Sequence, residues 1–274
     1  MNAEFLAWYG PLCSLLFGLC VGSFLNVCIY RNPRELSIVR PRSFCPGCGN
    51  TIAWYDNIPV MSYLVLRGRC RRCRAVISPR YPLIELLTGF LFVLAWHVHG
   101  VSAWTPVLWV MLSGLVVATM VDFDHMIIPD GVSLGGMVFG LAASALVPEL
   151  HGTEMVRTAM LRSALGLAAG SGILWLVSVV GRWVFKKDAM GLGDVKLLGA
   201  IGTLIGVPGV IYTILISSLL GTVVGIAMIL FGGHQWRSRL PYGPYLAIAA
   251  GSWTLGGEQL WRWYINLIDR KSVV

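Results

Sequence analysis

Two aspartates at the borders of apolar segments are the residues of this chain best suited to chemistry. Asp122 directly follows an uncharged run from Val101 to Val121, and Asp194 lies in Gly191-Leu192-Gly193-Asp194-Val195-Lys196, just before another apolar run. A carboxylate at membrane depth is costly and by default marks a functional site. Two such acids at one depth can share a proton, so that one acts as a base toward water while the other polarises a carbonyl oxygen. The pair predicts amide hydrolysis without a metal or a covalent intermediate.

The residues around Asp194 allow a catalytic and a structural interpretation. Gly191 and Gly193 would give the adjacent backbone the freedom that a substrate strand or a neighbouring helix requires, and Lys196 is the nearest cation along the chain. The alternative is that both aspartates only cap helices or pair with arginines of a cytoplasmic loop. Spacing alone leaves the two interpretations open.

Other titratable side chains near these segments are secondary candidates. Asp124 would face another side of the helix if the helix persists, and His125 is either a proton-linked partner or a solvated interfacial residue. Asp130 lies where the next helix should start, which favours a structural role. Glu85 lies in the first turn of the second apolar segment, where the helix dipole favours a carboxylate. Because it is also an acid at membrane depth, it stays a supporting site candidate.

Four cysteines form two C-x-x-C pairs, Cys45-Pro46-Gly47-Cys48 and Cys70-Arg71-Arg72-Cys73, in the largest polar segment. Each pair can place two thiolates on one metal ion, and two pairs complete a tetrahedral zinc site. The alternatives are free thiols or two disulfides, and disulfides are rare on a cytoplasmic face. We predict a structural zinc ion on these four thiols, which leaves no coordination position open for catalysis.

The composition of the chain is that of a polytopic membrane protein. Of its 274 residues, 56% are hydrophobic and 12% are charged, whereas a soluble domain has roughly 25% charged residues. We predict an all-α protein with about eight spans and a small zinc-binding cytoplasmic domain between the first two. The Gly/Ala-rich span 164–184 should allow close helix packing. The predicted spans are 5–29, 82–99, 102–121, 131–148, 164–184, 194–208, 209–231 and 241–262.

The distribution of basic residues predicts the orientation of these spans. If the 31–80 loop faces the cytoplasm, all but five of the 21 lysines and arginines lie on that side, and such a bias sets topology. The five others are Arg157, Arg162, Arg262, Arg270 and Lys271. The net charge of +8 is therefore mostly topological, and the expected partner is membrane lipid and not nucleic acid. Basic residues follow the first apolar run, which indicates an anchor and not a cleavable signal.

Several segments resemble the bacterial prepilin peptidases, the leader peptidase/N-methyltransferases of type IV pilus and type II secretion systems. The resemblance covers nearly the whole chain. It combines the glycine-flanked aspartate with the two cysteine pairs, which is much more specific than Gly-x-Gly-Asp alone. The other segments that carry it are Gly22-Ser23-Phe24-Leu25-Asn26-Val27, Ser78 to Thr88, Asp122 to Asp130, and Tyr242-Gly243-Pro244-Tyr245-Leu246.

This resemblance implies that Asp122 and Asp194 are the catalytic pair and that the other aspartates of the 122–130 segment are not. The implied substrate is the short basic leader of a prepilin or pseudopilin, cut after a glycine on the cytoplasmic side of the bacterial inner membrane. The same enzymes methylate the new N-terminus with S-adenosylmethionine. Residues tied to that second step match Gly68 and Arg69.

We therefore predict an intramembrane aspartyl endopeptidase, with its first transmembrane helix at 1–30, a zinc domain associated with methyl transfer at 31–80 and a peptidase domain at 81–274. Two rivals belong to other functional classes. A proton-coupled transporter would need further polar residues deeper in the spans, where the sequence has few. A non-enzymatic platform of a secretion system would dock partners on the zinc loop and would tolerate the loss of either aspartate.

Overall fold

The computed structural model describes residues 3–186, 190–232 and 240–272, and the regular structure within them is helical apart from isolated β-bridges. Lys187, Arg237 and Arg239, which the distribution of charge places on the cytoplasmic side, lie outside the described residues. The helices are α1 (Ala3–Arg31), α2 (Met61–Val65), α3 (Arg80–His99), α4 (Trp104–His125), α5 (Asp130–Leu146), α6 (Val156–Phe185), α7 (Leu192–Gly232), α8 (Gly243–Ser252) and α9 (Glu258–Ser272).

Within the described ranges, five helices are long and apolar enough to cross a membrane, and they correspond to α1, α3, α4, α6 and α7. The all-α, multi-span prediction is confirmed at this level, but eight spans are not. One cause is that the predicted spans 194–208 and 209–231 both belong to α7. Another is that the segment 241–262 is divided into α8, a π-helical turn at Trp253–Gly257 and the start of α9.

α7 bends sharply at Gly206, close to the predicted boundary between the sixth and seventh spans. Gly206 has φ 66° and ψ −176°, a conformation that is essentially restricted to glycine. Residues eight apart in a straight helix are separated by about 12 Å. A Cβ added at Gly202, however, would lie 3.0 Å from the side chain of Val210. The two parts of α7 are therefore separate helical segments joined by a tight bend.

A buried polar cluster supports this bend. The carbonyl of Thr203 accepts hydrogen bonds from the hydroxyls of Ser144 at 3.1 Å and Ser163 at 2.7 Å. The Ser144 hydroxyl also contacts Nε2 of His151 at 3.0 Å. Burial lowers the pKa of His151 below its ordinary value, so its imidazole is neutral at physiological pH. The carbonyl beside the bend thus has the partners that a buried polar group requires.

Replacing Gly206 with alanine should destabilise the protein by about 1–3 kcal/mol, because the required backbone conformation is strained for any other residue. Thermal unfolding in detergent should show a lower midpoint for Gly206→Ala than for the unchanged protein. Gly172→Ala is the matched control, since a Cβ added at Gly172 in α6 would meet nothing within 4 Å. Equal midpoints for the two variants would show that the bend does not need glycine.

The first of two compact units spans Met1–Val117. Its helices α1 and α3 pack closely, because a Cβ added at Gly22 would lie 2.7 Å from the Cα of Glu85. The side-chain amide of Asn26 in α1 donates a hydrogen bond to the carbonyl of Tyr81 in α3 at 3.1 Å. The first two segments that carry the family resemblance therefore meet in this helix pair.

The second unit spans Ala118–Val274. Helices α6 and α7 approach backbone to backbone at Gly166 and Gly202, where an added Cβ on either residue would collide with the other helix. Gly170 of α6 is similarly close to the carbonyl of Leu198. The predicted close packing of the Gly/Ala-rich span is confirmed.

Candidate active site

Asp122 lies in the last turn of α4, and the residue is only 5% exposed. The helix ends soon after it because Met126 adopts a left-handed conformation with φ 54°. The Asp122 carboxylate accepts a hydrogen bond from the backbone N–H of Gly243 at 2.9 Å. Gly243 is the first residue of α8, and the first N–H groups of a helix have no partner within it. The carboxylate therefore binds at the positive end of the α8 dipole.

Asp194 lies in the first turn of α7 and is half-buried. Its carboxylate accepts a hydrogen bond from the backbone N–H of Gly191, the residue just before the helix. This is one half of a capping box, in which an acid at the third helical position binds the preceding free N–H. Gly193 lies close to α4–α5 loop residue Ile128, since an added Cβ would be 3.2 Å from that side chain, and the φ of Gly193 is not positive.

The two predicted aspartates, Asp122 and Asp194, lie near enough to each other for their charges to interact. Each carboxylate also accepts a hydrogen bond from a backbone N–H at the start of a helix. A carboxylate offers about four lone-pair positions, so one orienting bond leaves the group able to bind water or a substrate carbonyl. Two acids held in this way favour a state in which they share one proton. The arrangement is suited to acid–base chemistry on an amide bond.

Lys196 pairs with Asp130, with its Nζ 2.7 Å from Oδ1 of that residue. The Asp130 side chain is largely exposed and that of Lys196 is partly exposed, and solvent-exposed pairs add little stability. Asp130 is the first residue of α5, so the predicted helix start is confirmed. Asp124 and His125 are exposed at the end of α4.

Glu85 belongs to the first unit, whereas the two aspartates belong to the second. The residue is 8% exposed, and its Oε2 accepts a hydrogen bond from the backbone N–H of Val60 at 2.7 Å. The hydroxyl of Ser23 in α1 interacts with the same carboxylate. The contacts of Glu85 in the described structure are therefore made within its own unit.

The four cysteines converge, with their Sγ atoms all within 4.8 Å of one another. The Sγ atoms of Cys45 and Cys73 are 3.7 Å apart. Four Zn–S bonds of about 2.3 Å in a tetrahedron separate the sulfurs by about 3.8 Å, whereas a disulfide is only about 2.05 Å long. The cluster is shaped to hold one metal ion and contains no disulfide.

Both cysteine pairs are held by the same backbone hydrogen bonds. In each pair, the N–H of the first cysteine donates a hydrogen bond at 2.9 Å to the carbonyl of the fifth residue after it. The N–H of the fourth residue after it donates to the carbonyl of that same cysteine. Bridges between Phe44 and Thr51 and between Arg69 and Val76 close the two turns. Hydrogen bonds from Asn50 lower the pKa of the Cys48 thiol to about 6. This thiol is therefore ionised at neutral pH, in the form that binds metals.

Gly68 and Arg69, the residues matched to methyl transfer, precede the second cysteine pair. Gly68 is buried with φ 66°, and an added Cβ would lie 3.0 Å from the side chain of Tyr63. Arg69 is exposed. Glycine at position 68 is thus required by both its backbone conformation and the adjacent tyrosine ring.

Gly243 is a site residue to which the sequence gives no role. An added Cβ would lie 2.8 Å from the Oδ2 atom of Asp122. The hydroxyls of Tyr242 and Ser217, 2.8 Å apart, fix the segment against α7. Pro244 is the sequence feature that could have indicated this contact, because proline in the first turn indicates a helix start, where free N–H groups attract a carboxylate.

Comparisons with known proteins identify families that this chain resembles. Residues 16–99 match the family model described as the bacterial peptidase A24 N-terminal domain, and residues 109–226 match the type IV leader peptidase family. No solved structure matches.

Three similar proteins each carry the name prepilin leader peptidase/N-methyltransferase. The protein of Myxococcus xanthus is 42% identical, with 83% of this chain and 66% of the relative aligned. The protein of Aeromonas salmonicida is 36% identical over 97% of each chain. The protein of Pseudomonas aeruginosa is 36% identical over 95% of each chain.

Proposed function

The chain belongs to the type IV leader peptidase family, and we propose that it cleaves prepilin leaders with the carboxylates of Asp122 and Asp194 and then methylates the new N-terminus. The observation that carries the proposal is their convergence, with each acid oriented by the N–H of a glycine at a helix start. The alternative functions, a transporter and an assembly platform, have no support in the names of the relatives, which are those of enzymes.

The chemistry proposed for the pair begins with one proton shared between the two acids. The ionised carboxylate takes a proton from water as the water oxygen attacks the carbonyl carbon of the scissile bond. The protonated carboxyl donates its proton to the carbonyl oxygen, which becomes a hydroxyl in the tetrahedral intermediate. As the carbonyl re-forms, a hydroxyl returns its proton to the carboxylate that is now ionised, the C–N bond breaks, and the leaving amine takes the proton that the other carboxyl received from water. The bonds from Gly191 and Gly243 keep both acids in place throughout.

The proposed substrates are prepilins or pseudopilins, cut after a glycine on the cytoplasmic side of the bacterial inner membrane. A pilin N-terminal helix is apolar and lies in the bilayer, so its leader junction lies at the membrane edge. Support comes from the position of the acids at helix ends, Asp122 in the last turn of α4 and Asp194 in the first turn of α7. Membrane lipid is the proposed surrounding of the apolar helices.

We further propose a structural zinc ion on Cys45, Cys48, Cys70 and Cys73, within a cytoplasmic domain at 31–80. Methylation of the new N-terminus would use S-adenosylmethionine, which supplies a methyl group from a positively charged sulfonium. Gly68 and Arg69 are assigned to this step. The peptidase domain would comprise 81–274.

Purified protein and a leader-bearing prepilin test the proposal directly. Mass spectrometry of the product should show loss of the leader after a glycine and, with S-adenosylmethionine present, the gain of one methyl group. Absence of cleavage by the unchanged protein would overturn the proposal and favour the transporter or the platform.

Replacing Gly243 with alanine should slow cleavage by about 10–100-fold, because the added methyl group displaces the Asp122 carboxylate from its orienting N–H. The loss should appear in kcat more than in KM, since the change affects an acid and not substrate binding. Gly221→Ala is the matched control, because an added Cβ there would lie 3.6 Å from Tyr245, an ordinary contact distance. Equal cleavage rates for the two variants would contradict the positioning role of Gly243.

A further inference from the structure

The first unit contains a cavity of about 540 Å³ that the peptidase chemistry does not use. It lies among α1, the cysteine loop and the start of α3, and its wall includes Ser23, Tyr63 and Glu85. Cavities of roughly 300–1,000 Å³ are typical of small-molecule sites. The size indicates a small ligand and not a folded partner.

Glu85 places a buried negative charge beside this cavity. The carboxyl group is buried beside the cavity, and in the part of the chain that the structure describes it forms no ion pair. Its partners are neutral donors, the N–H of Val60 and the hydroxyl of Ser23. A buried carboxylate without a cation is costly, so this wall of the cavity favours a ligand that carries a positive charge.

The other acid that lines the cavity, Asp56, already has a basic partner, while the guanidiniums of Arg31 and Arg72 donate to neutral oxygens. Asp56 and Arg71 both line the cavity, and they form a two-point ion pair with distances of 2.6–3.0 Å. The Arg71 guanidinium holds the pKa of Asp56 below its ordinary value, so the pair stays closed at neutral pH. Glu85 is therefore the acid of this cavity that has no basic partner among the described residues.

The carboxylate of Glu85 also holds Val60, in the cavity wall, in a strained backbone conformation. Val60 has φ 60° and ψ −49°, and the N–H of Met61 donates to the carbonyl of Pro59 at 2.6 Å. This geometry is that of a γ-turn, which is rare, and it is more unfavourable for a β-branched residue. Such strain persists where surrounding contacts enforce it, and it is concentrated at ligand sites. Here the enforcing contact is the bond from Val60 to Glu85.

We propose that this cavity binds the methyl donor, with the carboxylate of Glu85 facing the sulfonium of S-adenosylmethionine. The inference rests on the proposed N-methyltransferase function. The sulfonium carries a full positive charge before methyl transfer, and the product, S-adenosylhomocysteine, has a neutral thioether in its place. Tyrosine rings in the wall, including Tyr63, offer faces for the adenine base and for the cation.

This placement also explains how Gly68 acts on methyl transfer without lining the cavity. The Tyr63 side chain forms part of the wall, and a Cβ added at Gly68 would press against it at 3.0 Å. A larger residue at this position would move the ring and reshape the cavity. Gly68 is therefore a positioning residue for the proposed donor site.

The decisive experiment compares the two forms of the donor. Dissociation constants for S-adenosylmethionine and S-adenosylhomocysteine are measured by calorimetry on the purified full-length protein and on Glu85→Gln. We expect the substitution to weaken binding of the charged donor by about tenfold or more and that of the neutral product by less than about threefold. Glu35→Gln is the control, because it removes the same charge from an exposed position of the same unit that does not line the cavity.

Equal weakening of both molecules, or of neither, would overturn the placement of the sulfonium at Glu85. Weaker binding of a basic leader peptide, with unchanged binding of the donor, would assign the cavity to the substrate instead. If the Glu85→Gln variant loses its metal ion, the Tyr63→Ala variant tests the location of the donor site instead. Unchanged affinity of Tyr63→Ala for both molecules would exclude the cavity as that site. Methylation by the unchanged protein is measured as well, because its absence would contradict the proposed N-methyltransferase function and not only the placement of the donor.

Discussion

Asp122→Asn and Asp194→Asn should each reduce leader cleavage by about 10²- to 10⁴-fold, the range that general acid–base catalysis contributes. Asparagine keeps the shape of the side chain and a carbonyl oxygen that can accept the N–H of Gly243 or Gly191. It cannot take a proton from water or donate one to the substrate carbonyl. Cleavage of a purified prepilin, followed by mass spectrometry, measures the loss, and metal content and thermal midpoint show whether each variant is folded.

A pilin that already lacks its leader separates this effect from methyl transfer. Both asparagine variants should methylate it as the unchanged protein does, because the acids are proposed to act only on the scissile amide. Asp124→Asn is the matched control, since it makes the same change two residues along α4 at an exposed position. Cleavage within about tenfold of normal in either variant would remove that aspartate from the mechanism.

The sequence allows Asp122 and Asp194 to be proposed as a pair because membrane depth makes carboxylates rare and informative. Asp122 and Asp194 are recognisable as acids that directly adjoin long apolar runs. Their convergence depends on tertiary packing, which local spacing does not report. The orienting bond from Gly243 to Asp122 joins residues 121 positions apart, so no local pattern contains it. The sequence did contain Pro244, a residue that indicates the start of a helix.

The number of spans was the weaker prediction, although the bend of α7 at Gly206 lies close to the boundary predicted between residues 208 and 209. An apolar run that contains glycine and proline indicates a helix and a possible bend, but not the contacts that fix the bend. The bend is set by one backbone conformation and by the carbonyl of Thr203, whose hydroxyl partners lie on α5 and α6. Similarly, the segment around Trp253–Gly257 is apolar enough to be read as a continuous span, yet Gly256 has φ 130° and interrupts the helix.

The cysteine cluster was predictable because metal ligands need specific atoms at specific spacing. The strained turn at Val60 was not, since valine normally disfavours a positive φ. It exists because a distant acid, Glu85, binds its N–H. The cavity beside it is likewise a product of three chain segments that are separate in sequence. Local composition therefore located the cysteine cluster but not the cavity near it.

Replacing Cys45 with serine should remove the metal and reduce methyl transfer more strongly than cleavage. Between residues 32 and 79 the buried positions are Cys45 and Gly68, so this segment has almost no hydrophobic core of its own. Small domains of this kind depend on a structural metal, and zinc then supplies folding free energy directly. Cys45 and Cys70 also line the proposed donor cavity, so loss of the metal should disorganise that wall.

We expect the Cys45→Ser variant to bind S-adenosylmethionine at least about tenfold more weakly. Its 32–79 segment should become sensitive to limited proteolysis, while the prepilin is still cleaved at a similar rate. Cys13→Ser is the matched control, because it makes the same chemical change at an exposed position in α1. The orienting bonds of Asp122 and Asp194 come from residues of the second unit, which is why the two activities should separate. Parallel loss of both activities in Cys45→Ser would instead mean that the cleavage site depends on the metal-bound fold of the loop.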